Sequence, residues 1–97
     1  MIELAVDLAK LAMAEAEIQK ALAVYRDAVA KAKAAAAALR EDWEGEAAEA
    51  FEQEQSNAYK WHMSIVDVIT SFIEELEKTI RTYQEYEERI KSMIQKS

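Results

Sequence analysis

The chain has no cysteine, no proline and a single glycine, Gly45, among its 97 residues. Without cysteine, no disulfide can brace the fold and no thiolate can hold a metal. Without proline, and with one glycine, only the neighbourhood of residue 45 offers the backbone an easy place to turn. Cations are scarce as well: 12 Lys and Arg stand against 19 Asp and Glu, for a net charge of −7. That balance excludes a nucleic-acid partner, whose phosphates demand clustered cations, and disfavours an anionic membrane surface. No apolar run approaches the roughly 20 residues that span a bilayer, so no stable membrane insertion is expected. Glu3, Asp7, Lys10 and Glu15 interrupt the N-terminal stretch, which is therefore not expected to act as a cleaved secretory signal. If the protein leaves the cell, another route must carry it.

The residues of catalysis are missing too. His62 is the one histidine, and no Glu-x-x-His pair accompanies it, so a di-metal bundle site is excluded. One glycine cannot build a phosphate-cradling loop. Glu74-Glu75 and Glu87-Glu88 read as solvated helix faces, and no serine or threonine has a base beside it to make a nucleophile. The expectation is a protein that is not an enzyme and has no cofactor and no metal.

What is present is helical periodicity. In the first half, Leu4, Leu8, Leu11, Ile18, Leu22, Tyr25, Val29, Ala32, Ala36, Leu39 and Trp43 recur at alternating spacings of 4 and 3, broken only at Glu15. This is the pattern of one helix lying along another at a shallow angle. The filler is largely alanine, the strongest helix former. Alanine rows such as Ala14, Ala21, Ala28 and Ala35 are either simple filler or a surface for close approach. In the second half the ladder resumes through Phe51, Gln55, Ala58, His62, Ile65, Ile69, Phe72, Leu76, Thr79, Tyr83, Tyr86, Ile90 and Met93. Beside it runs a second stripe of Tyr59, Val66, Ile73, Ile80 and Ile94, widened further by Trp61 and Val68. A face this wide wants more than one neighbour.

The reading is all-α: one helical-hairpin domain spanning residues 1–97, with a helix over about 2–40, a turn at 41–46 and a second helix over about 47–95. Two such antiparallel hairpins, burying their remaining apolar surface together, would make a four-helix bundle. Leu22, Phe51, Ile65, Ile69, Phe72 and Leu76 are the expected hairpin and dimer seam. Asp42 or Glu44 caps the second helix, and Trp43 is expected to fold back between the helices. A turn centred near residue 44 sets residue i opposite about 88 minus i, within a turn. That register puts Phe51 near Ala36, Phe72 near Ala16 and His62 near Tyr25 or Arg26, and leaves the chain from about Tyr86 onward without an intrachain partner. His62 is then either a part-buried residue with a hydrogen bond or a group whose protonation weakens pairing.

Trp43-Glu44-Gly45 at the midpoint, followed by Ala47-Ala48-Glu49-Ala50-Phe51, resembles the WXG family of small type VII secretion substrates, the early-secreted-antigen-like proteins of Gram-positive and related bacteria. The resemblance covers the whole chain. It also reaches the tail, where Tyr83 and Glu87 match the family's Tyr-x-x-x-Asp/Glu export signal, and Ile90 and Ile94 match a longer variant of it. By spacing alone these four residues share one helical face and are simply the last turns of a dimer seam; the resemblance makes them an export signal. It further implies dimerisation with itself or a sister protein of the same family, recognition by a membrane-associated secretion ATPase, and a secreted protein with a cytoplasmic pool. Two other jobs fit the same helices: targeting partner or chaperone of a larger exported toxin, and intracellular coiled-coil adaptor.

Overall fold

A computed structural model describes residues 2–96, with side chains from residue 8 onward. Helix α1 runs Ile2–Glu41 and helix α2 runs Glu46–Lys96, and no strand occurs among the described residues. The turn between them occupies residues 42–45. Gly45 has φ +108°, the one positive φ of the described backbone. Its carbonyl accepts the Glu49 N–H at 3.1 Å, the first hydrogen bond of α2. Gly45 thus holds the position just before the helix, with no side-chain cap from Asp42 or Glu44 among the hydrogen bonds of the turn. Glu46 and Glu49 lie in the first turn of α2 and Arg40 in the last turn of α1, each where its charge suits the helix dipole.

Contacts divide the chain into two compact units, which are described separately. One is Ala21–Ile69, called here the turn unit; the other, the terminal unit, joins the residues up to Lys20 with those from Thr70 onward. In the turn unit the helices run antiparallel. Tyr25 meets His62, Lys33 lies over Tyr59, and Arg40 bonds Glu52. The first contact falls where the sequence register puts it, and the other two lie one turn further along α2. Leu22, Val29, Ala48 and Val66 are the buried residues of this unit. In the terminal unit they are Leu8, Ile73 and Ile80.

On α1 the inward positions follow the heptad ladder: Leu8, Leu22 and Val29 are buried, and Leu11, Glu15, Ile18, Tyr25 and Ala36 are half-buried. The first rung, Leu4, lies outside the residues whose side chains are described. On α2 the inward line differs from the ladder by one position in every second rung. Tyr59, Val66, Ile73 and Ile80 turn inward, alternating with His62, Ile69 and Leu76. Ala58, Phe72 and Thr79 are exposed and Ile65 is half-buried. The face of α2 was wide enough for two seams, and α1 took the β-branched one. Phe72, expected near Ala16, is 56% exposed. Thr79, a polar rung of the ladder, instead donates its hydroxyl to the Glu75 carbonyl of its own helix at 2.9 Å.

Candidate functional site

Arg40, at the end of α1, donates from Nη1 to the Trp43 carbonyl and from Nε to Glu52 Oε2 at 3.2 Å. The Trp43 N–H closes back on the Arg40 carbonyl at 3.2 Å. One guanidinium thus ties the end of α1 to the turn and to the second turn of α2. The Trp43 ring is half-buried and lies 5.3 Å from the Phe51 ring, tilted by 48°. A β-carbon added at Gly45 would meet nothing within 4 Å, so its constraint is backbone conformation and not space. Ala48, in the first turn of α2, has no exposed surface, whereas Glu46, Ala47, Glu49 and Ala50 around it are exposed. Sequence reading singled out Trp43 and Gly45 but missed Arg40. The available signal was a lone cation in the last helical turn before Trp-x-Gly.

Beyond the turn the helices part into a groove of about 790 Å³, lined on α1 by Ala28, Ala32 and Ala36 and on α2 by Phe51, Tyr59 and His62. The small α1 side chains make the groove by failing to fill it. At its inner end the Tyr25 hydroxyl and His62 Nδ1 share a hydrogen bond. Which of the two donates follows from the imidazole tautomer. The Trp61 ring stands edge-on to His62 at 5.1 Å between centroids. Lys33 Nζ sits 4.2 Å above the Tyr59 ring, a cation–π contact at the groove's rim.

Of the six seam residues, Leu22 is buried, and Phe51, Ile65, Ile69 and Leu76 are half-buried. Phe72 remains 56% exposed, Trp61 63% and Val68 70%. Trp61, Ile65 and Val68 follow spacings of 4 and 3, so within the turn unit they share one outward face of α2; Phe72 belongs to the terminal unit. Further along α2, Tyr83 and Ile94 are exposed, whereas Glu87 and Ile90 are half-buried. All four belong to the terminal unit, and α2 stays helical past them to Lys96. The half-burial of Glu87 and Ile90 is a departure from a tail left bare from Tyr86 onward; in the same unit Gln19 bonds Glu77, further along α2 than the register of 88 minus i puts it.

Among the described residues there is no group of three or more His, Asp or Glu that could hold a metal ion, and no helix is long and apolar enough to cross a membrane. Residues 3–95 match the family described as proteins of 100 residues with WXG. No match to this chain was found among curated proteins or among solved structures. The matched span contains Trp43-Glu44-Gly45, the turn whose geometry is given above. Members of the family are small helical proteins secreted by type VII systems and are not enzymes. The chain belongs to this family, WXG100, and is a small type VII secretion-associated protein.

Proposed function

We propose that the protein is exported by a type VII system as a folded homodimer and acts by protein–protein contact. The observation that carries this reading is the outward side of α2, where Trp61 and Val68 in the turn unit, and separately Phe72 in the terminal unit, stand largely in water. Burying side chains of this size is worth about 1.5–3 kcal/mol each, a driving force that a lone pair of helices leaves unused. A second copy, presenting the same face, completes a four-helix bundle. The net charge of −7 leaves an anionic membrane a poor alternative cover for the same face.

In this reading Tyr83, Glu87, Ile90 and Ile94 are the element that a membrane-associated secretion ATPase recognises. Their 4, 3, 4 spacing and helical backbone support it, because a helix end presenting an aromatic, an acid and two aliphatics suits a receptor groove. The protein then occurs outside the cell, with a cytoplasmic pool awaiting export. The test is a blot of culture medium and cell pellet for wild type, Tyr83→Ala and Glu87→Ala, with circular dichroism to establish that each stays folded. Wild type in the medium and folded variants held in the pellet is the expected result. Wild type confined to the pellet, with the apparatus expressed, would overturn the export reading and leave an intracellular adaptor. Aggregation of the pure chain, relieved only by co-expression with a larger partner, would make it that partner's targeting subunit.

A further inference from the structure

In the terminal unit, two carboxylates meet across the helices. Glu15 occupies the one position of the α1 ladder that is not apolar, between Leu11 and Ile18, and is directed at α2. Gln19, one turn on, donates from the same Nε2 to Glu15 Oε1 at 3.0 Å and to Glu77 Oε1 at 3.2 Å. Glu15 and Glu77 are both half-buried. The charged groups flanking them on α1 are Lys10, Glu17 and Lys20; on α2 they are Glu74, Glu75, Lys78 and Arg81. Lys20 is paired with Glu17 on its own helix, and Lys78 with Glu75, each at 3.8 Å. What bridges the two acids is a neutral carboxamide.

Two carboxylates in this arrangement repel when both are ionised. When they hold one proton between them, a hydroxyl of one donates to an oxygen of the other and joins the helices directly. We propose that Glu15, Gln19 and Glu77 form a proton-operated clamp that tightens the terminal unit in acid and relaxes it at neutral pH, leaving the turn unit indifferent. Removal of Glu15 from water, followed by the hydrogen bond and the charge of Glu77, raises the Glu15 carboxyl above its ordinary value, in keeping with the geometry. The sign follows. A carboxyl raised by folding binds its proton more tightly in the folded state, so the clamp's stabilisation is complete below the unfolded pKa. It is lost as pH rises through the raised folded value. The inference does not depend on the tail's being an export signal.

The experiment is amide hydrogen exchange on the full chain across a pH series, expressed as protection relative to the intrinsic rate at each pH. It compares wild type with Glu15→Gln, Glu77→Gln and the exposed, charge-matched control Glu17→Gln. Expected for wild type is a gain in protection on acidification across residues 8–20 and 73–90 that residues 22–66 do not share, about three- to tenfold, the scale of one net hydrogen bond. Glu15→Gln and Glu77→Gln should each flatten that gain, because a carboxamide already donates to the remaining carboxylate at neutral pH; Glu17→Gln should keep the wild-type profile. An equal gain in both units, or a profile unaltered by both Glu15→Gln and Glu77→Gln, would overturn the clamp. Equal flattening by Glu17→Gln would also overturn it, assigning the effect to overall net charge.

Discussion

The Tyr25 hydroxyl and the His62 imidazole bond to each other across the two helices of the turn unit, at the inner end of the groove. Tyr25→Phe leaves a half-buried ring nitrogen without that partner and is expected to cost about 1 kcal/mol. Urea unfolding at neutral pH measures it. His62→Gln, whose amide can still reach the phenol, should cost less. Equal losses from the two would show that the ring contact, and not the hydrogen bond, is what matters.

Gly45 constrains the turn through its backbone alone. At φ +108° an L-residue is strained although there is room for its side chain, so Gly45→Ala should destabilise by about 1–3 kcal/mol. D-alanine introduced at the same position by chemical synthesis should be tolerated, or stabilise by about 0.4–1 kcal/mol, since it adopts positive φ freely and restricts the unfolded chain. Thermal unfolding of the three chains gives the order directly. A D-alanine chain as unstable as the L-alanine one would refute the backbone account.

Arg40 holds two partners, the Trp43 carbonyl and Glu52, whereas Glu52, among the described residues, holds Arg40 alone. Arg40→Met keeps the aliphatic stem but loses the bonds to the Trp43 carbonyl and to Glu52, and should cost about 1.5–2 kcal/mol. Glu52→Gln touches only a carboxylate whose side chain is 64% exposed and should cost about 0.5 kcal/mol or less. Equal shifts in the denaturant midpoints of the two would make the ion pair, which both variants lose, and not the carbonyl bond, the tie of the turn.

Trp43 is half-buried against Phe51, so Trp43→Ala should cost about 2 kcal/mol, below the 3–5 kcal/mol of a fully buried tryptophan. The tryptophan next to the turn also reports on it. Trp43 fluorescence in a Trp61→Phe background should shift to the red on unfolding of the turn unit.

How far these features could be read beforehand differs from residue to residue. The two helices and the turn were legible because an alanine-rich chain without proline and with one glycine has a single place to bend. The α1 side was legible because its large apolar residues form one narrow line, and Leu8, Leu22 and Val29 on it are buried. The α2 side was harder. Val66 and Ile73 compete with Ile65 and Phe72 for the inward position, and a wide apolar face carries no mark of which neighbour comes first. Arg40 escaped notice because its partner is a backbone carbonyl, whose place depends on the path of the turn. Glu15 stood out as the break in the ladder, but its meeting with Glu77 rests on a register that spacing gives only to within a turn.

The central claim is that the outward face of α2 is an interface. Sedimentation equilibrium of the purified chain at micromolar concentration tests it most directly, beside Val68→Glu, which places a charge on the exposed face that Val68 shares with Trp61 and Ile65. The account predicts twice the 11.0 kDa chain mass for wild type, and a helical monomer for the variant. A wild-type chain that stays monomeric and soluble, with Trp61 and Phe72 in water, would contradict it.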